Sequence, residues 1–166
     1  DAAEKHARSI GLNVVRLGND LEGEARDVAQ EHAQLARATQ AKLKAGDPPV
    51  VMLSGGELTV TRWGDGIGGP NAEYCLALAL ALDGAPNIWA LACDTDGVDG
   101  ADEVAGASIG PSTLSKAKTV PVDPVNALNK NDAHAFFKQV GSQIVTGPTL
   151  TNVNDFRAIL VYPEAS

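Results

Sequence analysis

Apolar residues recur along the chain in runs of two kinds, short and continuous or longer and helical, separated by loops dense in Gly, Asp, Asn and Thr. Val50 to Leu53 is a short apolar run after Pro48-Pro49, the pattern of a strand buried on both faces. Leu58 to Trp63 alternates apolar with polar and predicts a strand with one wet face. From Ala72 to Leu82 the chain is mostly Leu and Ala, with no Gly, Pro or β-branched residue, which predicts a helix apolar all round and therefore buried. Asn71 suits its N-cap, Glu73 the positive end of its dipole and Gly84 its termination.

The same reading extends to both sides. Ala2 to Ile10 predicts a helix closed by Gly11, and Asn13 to Leu17 a strand. Asp20 reads as the cap of a long helix with Ala25, Val28, Ala29, Leu35, Ala36 and Leu43 as its apolar stripe, stopped by Gly46 and Pro48-Pro49. Ile88 to Cys93, Ala105 to Ile109, Gln143 to Val145 and Phe156 to Tyr162 predict strands. Ser112 to Lys118 and Pro124 to Leu128 read as short helices or turns, and Asn131 caps a helix over Asp132 to Val140. Helical and strand periods alternate, so the expected fold class is α/β, with helices in a three-layer arrangement around a mixed, mostly parallel sheet. Residues 1–48 are expected as a helix-strand-helix lead-in packed on an α/β domain at 49–166. A helix with no strand before it is an unusual opening for this class and suggests a piece of something longer.

Charge changes the picture more than composition does. Trp63 to Ser115 contains no Lys or Arg, and its acids are Asp65, Glu73, Asp83, Asp94, Asp96, Asp99, Asp102 and Glu103, which account for the whole net charge of −8. A basic footprint for phosphate backbones is missing, which argues against nucleic acid. No run is long enough to span a membrane, and Cys75 and Cys93 read as reduced thiols in apolar elements, consistent with a cytoplasmic protein. His6, His32 and His134 fall in no zinc-like spacing, and His32 reads as a surface or edge residue.

Three polar loops each follow an apolar strand: Ser54 to Glu57, Asp94 to Asp99 and Thr146 to Asp155. Ligands of α/β proteins gather at the carboxyl ends of strands, so the three are expected to meet at one sheet edge. Glycine-rich backbone at Gly55, Gly56, Gly68 and Gly69, beside a helix start, is how an anion site is built. Gly64, Gly66 and Gly69 also match G-x-G-x-x-G, but the alternating segment before them is not the buried parallel strand a dinucleotide site requires. A P-loop is excluded, because no Gly-Lys-Ser/Thr occurs.

Leu53 to Glu57, Gly68-Gly69-x-Asn71-x-Glu73, Asp94 to Gly100, Asn131-Asp132 and Thr146 to Asp155 together resemble the MOFRL domain, the C-terminal half of class II glycerate kinases, which genomes often label hydroxypyruvate reductases. The resemblance implies ATP- and Mg²⁺-dependent phosphorylation of D-glycerate to 2-phosphoglycerate, in a cleft shared with an N-terminal nucleotide-binding domain and with a homodimer open as an assembly. It implies Asp94 and Asp96 as catalytic residues, with Asp94, Asp96 and Asp99 as Mg²⁺ ligands. Ser54, Gly55, Gly56, Glu57, Gly68, Gly69, Asn71, Glu73, Thr149, Thr151 and Asn152 would hold the small hydroxy acid and phosphate. Pro70 departs from the pattern, since the family usually has Arg there. The alternatives are an NAD(P)H-dependent hydroxypyruvate reductase and a non-catalytic regulatory or interaction domain, and the isolated chain is expected to be inactive.

Overall fold

The computed structural model describes residues 1–100 and 103–164, so Asp102 of the acidic loop lies outside the described residues. The elements are α1 (Ala2–Ser9), β1 (Asn13–Leu21), α2 (Ala25–Gln40), β2 (Val50–Gly56), α3 (Pro70–Leu82), β3 (Ile88–Asp94), β4 (Gly106–Ile109), α4 (Thr113–Ala117), α5 (Pro124–Asn129), α6 (Ala133–Val140), β5 (Gln143–Ile144) and β6 (Asp155–Val161). Their strands form one 6-stranded sheet in the order β1-β2-β6-β3-β4-β5.

The sheet is mixed, but it is not mostly parallel. Among the described residues, β1 and β2 pair parallel and every other neighbouring pair of strands is antiparallel. The physical reason lies in β6. β2, α3 and β3 form a crossover whose two strands run the same way, as the sequence suggests, but the last strand inserts antiparallel into the gap between them. Each of β2 and β3 therefore satisfies its ladder against β6 rather than against the other.

α3 is the centre of the core. Its residues from Asn71 to Ala79 and Leu82 are buried, and it contacts α2, β3, β4, α5 and α6. Removing a side chain such as Leu76 or Leu78, both fully buried, from water stabilises the fold by about 2 kcal/mol each. Phe136 and Phe137 of α6 pack edge to face with ring centroids 5.1 Å apart, on the same side of the sheet. Among the described residues, the one helix on the opposite side is α1, held at the β1 edge by ion pairs from Arg16 to Glu4 and Asp1.

Several local expectations change. β1 runs on to Leu21, so Asp20 lies in a strand and α2 starts after Glu24. Leu58 to Trp63 is not a strand: its alternation yields a single bridge, Thr59 to Glu24, because the segment crosses the start of α2 instead of lying along a partner. His32 is buried rather than at the surface, and its Nδ1 lies 2.8 Å from the Tyr74 hydroxyl. Burial lowers the His32 pKa to about 4, with the Arg157 charge acting in the same direction. Leu35, placed on the apolar stripe of α2 by spacing, is exposed. Among the described residues, no helix is long and apolar enough to cross a membrane.

Candidate functional site

The antiparallel insertion of β6 brings the three polar loops together. Gly56 at the end of β2 and Asp94 at the end of β3 are both register partners of Asp155, the first residue of β6. The loops after β2 and β3 and the loop before β6 consequently share the carboxyl edge of β2 and β3. Ser54, Gly55, Thr95, Val153 and Asp155 line one cavity there, of about 240 Å³, with Arg16 and Asn19 of β1 along its side.

The second and third loops are laced to each other. Thr149 donates from Oγ1 to the Thr95 carbonyl and from its backbone N–H to the Asp96 carbonyl. Asn152 donates from Nδ2 to Asp96 Oδ2, and Thr95 Oγ1 donates to the Asn154 carbonyl. Asp94 Oδ1 accepts the Asp96 N–H at 3.0 Å, and Asp96 Oδ1 accepts the Val98 N–H. Thr149, Thr151, Asn152 and Glu57 are exposed at this edge. Burial holds the Asp94 carboxyl above the ordinary carboxylate range, with the Asp96 and Asp155 charges acting the same way.

The other half of the expected site turns inward. Asp99 is buried, and its carboxylate caps α3: Oδ1 accepts the Asn71 N–H and Oδ2 the Ala72 N–H at 2.8 Å. The helix start is therefore filled by the protein's own anion, and Gly69 is needed because a Cβ there would meet the Asp99 carboxylate at 2.4 Å. Asn71 is not the cap. Its Nδ2 donates to Asp99 and, at 2.7 Å, to Asp155 Oδ1. Glu73 is also buried, with one oxygen on Arg26 and the other on Asn131 Nδ2. Gly56, at φ +107, packs on the Leu21 backbone, and a Cβ there would lie 2.3 Å from the Leu21 nitrogen. Asn131 and Asp132 accept backbone N–H groups of Trp63, Gly64 and Ile67, so the G-x-G-x-x-G loop that ends at Gly68-Gly69 is clamped onto the start of α6.

This geometry corrects the expected substrate roles of Asn71 and Glu73, which are buried inside the fold, Glu73 with both oxygens bonded and Asn71 with its Nδ2 bonded and its Oδ1 without a hydrogen-bond partner. It also separates Asp99 from Asp94 and Asp96 as a metal ligand, and among the described residues no three His, Cys, Asp or Glu side chains gather as a metal site. Asp94 and Asp96 fit a looser role, since Mg²⁺ is commonly held by one or two carboxylates together with phosphate oxygens. Pro70 is the first residue of α3, where a missing N–H leaves nothing unpaired.

Arg157 belongs to none of the polar loops that the sequence pattern singles out. It is 1% exposed on β6, donates to Asp155 Oδ2 at 2.9 Å and to the Gly56 carbonyl, and lies over the Tyr74 ring. It supplies a cation beneath a segment that has none of its own. Its signal was available: a lone Arg on the alternating register Asp155, Arg157, Ile159, Val161, which is the buried face of the strand.

Comparisons with known proteins show what the chain is similar to. The MOFRL family model matches residues 50–155. A protein of Agrobacterium vitis with a provisional hydroxypyruvate reductase name is 48% identical over 97% of this chain and 42% of its own length. The D-glycerate 2-kinase of Thermotoga maritima is 35% identical over 93% of this chain and 37% of its own. The crystal structure of a glycerate kinase from Thermotoga maritima superposes with a TM-score of 0.91 at 34% identity, over 96% of this chain and 39% of that one. The chain thus spans about two fifths of the length of these relatives. With a family model matched across all three polar loops, the chain belongs to the MOFRL family.

Proposed function

We propose that this chain is the part of a D-glycerate kinase that supplies the acidic, hydroxyl-rich wall of the reaction cleft, the other wall and the nucleotide site being on an N-terminal domain. The observation that carries the reading is the meeting of Ser54, Asp94 and the 149–152 loop around Asp155 at one sheet edge, in a chain whose relatives include glycerate kinases over nearly all of its length. Ser54, Gly55, Thr149, Thr151 and Asn152 would orient the hydroxy acid, whose carboxylate and hydroxyls match a wall of donors and acceptors. Asp94 and Asp96 would hold Mg²⁺, alone or with a Lys of the other domain. When bound, the ion would offset phosphate charge. In the transfer, the 2-hydroxyl oxygen of D-glycerate would give up its proton to a base and form a bond to the γ-phosphorus of ATP as the bond to ADP breaks.

The reductase alternative is disfavoured by the G-x-G-x-x-G segment. Its backbone N–H groups at Gly64 and Ile67 are taken by Asn131 and Asp132, and the neighbouring helix start is filled by Asp99, so neither is free for a pyrophosphate. The longer protein, given D-glycerate, ATP and Mg²⁺, is expected to form 2-phosphoglycerate and ADP. Oxidation of NADH with hydroxypyruvate, without phosphoryl transfer, would replace this reading with the reductase.

A further inference from the structure

The side of the sheet opposite α2 to α6 carries three rows, each with one residue from β2, β6 and β3: Val51–Leu160–Trp89, Leu53–Ala158–Leu91 and Gly55–Phe156–Cys93. No polar side chain interrupts them. An antiparallel sheet with one face in water ordinarily carries polar residues on that face, whereas these rows are apolar throughout, the pattern of a covered face. Here Val51 is already buried, but Leu53, Leu91, Phe156, Ala158 and Leu160 are only half-buried and Trp89 is 41% exposed. Toward β4 the face deepens into a cavity of about 480 Å³ lined by Val51, Trp89, Leu91 and Leu160, with Lys116 among its other lining residues.

α1 lies against the β1 side of this face, and its first residues reach the cavity at the ends of β2 and β6. Arg16, which shares the face with its register partner Leu53, ties to Glu4 and Asp1. α1 starts at the carboxyl edge, where Asp1 and Ala3 join Gly55 and Phe156 in lining the 240 Å³ cavity of the candidate site. Leu12, just after it, lies with Val51 and Leu160 toward the opposite edge. Residues preceding Asp1 in a longer polypeptide would therefore arrive at the carboxyl edge of the open face. Neighbouring strands are about 4.8 Å apart, so β6, β3 and β4 span about 10 Å, the diameter of one helix. This chain covers 39% of the Thermotoga structure, which leaves about three fifths of that protein outside the match.

We propose that the Val51–Trp89–Leu160 face is covered in the longer protein by a helix that precedes Asp1, running antiparallel to α1 with an apolar stripe across β6 and β3. The proposal is independent of the reaction the protein catalyses. Hydroxyl-radical footprinting of the longer protein, read residue by residue and normalised to intrinsic reactivity, is expected to label Trp89 and Phe156 about tenfold less than Leu150, which is 98% exposed. In the same protein Leu91→Glu is expected to lower Tm by about 5 °C or more, since it buries a carboxylate without a partner, while Leu150→Glu shifts it by less than about 2 °C. Labelling of Trp89 in proportion to its 41% exposure, with Leu91→Glu no worse than Leu150→Glu, would overturn the proposal. Protection of Trp89 that disappears on dilution to the monomer would assign the face to a second copy and overturn it equally.

Discussion

Two polar regions of this molecule are built from the same residue types and have opposite fates. Around the start of α3, Asn71, Glu73, Asp99, Asn131, Asp155 and Arg157 are buried and hydrogen-bonded to one another or to backbone. At the carboxyl edge, Thr149, Thr151 and Asn152 are exposed, and Asp94 and Asp96 are bonded mostly to nearby backbone N–H groups. The difference teaches that Gly, Asp and Asn density marks where backbone must turn or be capped, while availability to a ligand depends on whether the groups stay exposed once the chain's own hydrogen bonds are made. Asp155 joins the regions: one oxygen accepts from Asn71, the other from Arg157, and its backbone is the register partner of both Gly56 and Asp94. The buried region fixes the height and register of the exposed one.

That contrast can be broken from the inside first. Arg157→Met leaves Asp155 buried beside no cation, and is expected to reduce unfolding free energy in urea by about 3–5 kcal/mol. Asp99→Ala removes the cap of α3 and strands two buried N–H groups, with an expected loss of about 1–3 kcal/mol. At the edge the sign changes. The Asp94 carboxyl is held above its ordinary range, so its ionised form is the less favoured one in the fold, and Asp94→Asn is expected to raise Tm slightly at pH 7. Because a raised carboxyl contributes stability below its unfolded pKa and loses it as pH rises through the folded one, that gain should close as pH falls toward the ordinary range. Smallest of all, Leu150 sits at φ +58 with its side chain in solvent, and Leu150→Asn is expected to add about 0.5 kcal/mol by easing a conformation that Asn tolerates.

The interior also predicts acid sensitivity. His32 has its pKa lowered to about 4, so its neutral form belongs to the fold, and its contribution is complete above the unfolded value and declines as pH drops from about 6.5 toward 4. His32→Gln should flatten that part of the stability profile.

How much of this was legible in the sequence depended on whether the deciding partner was local. α3 could be read from composition alone, because a helix apolar all round has only one place to go. The meeting of three loops was also legible, since strand ends carry them. The sheet's hand of pairing was not: which strand fills the gap between β2 and β3 is decided by β6, about 60 residues after β3 and invisible to any window on the crossover. Leu58 to Trp63 alternates as a strand should, yet alternation states which side faces solvent and not whether a neighbour is present. The inward half of the site failed for a related reason. Asn71, Glu73 and Asp99 look like ligands in sequence because their partners lie far along the chain: Asp99 and Asp155 for Asn71, Arg26 and Asn131 for Glu73, and the amides at the start of α3 for Asp99.

The central claim is that the reacting edge is the exposed one at Asp94 and not the buried cluster beneath it. Turnover of the longer protein with D-glycerate, ATP and Mg²⁺ should fall by about 100-fold or more in Asp94→Asn, while its Tm at pH 7 stays the same or rises. Turnover within about twofold of the wild type, in a variant with unchanged Tm, would contradict it.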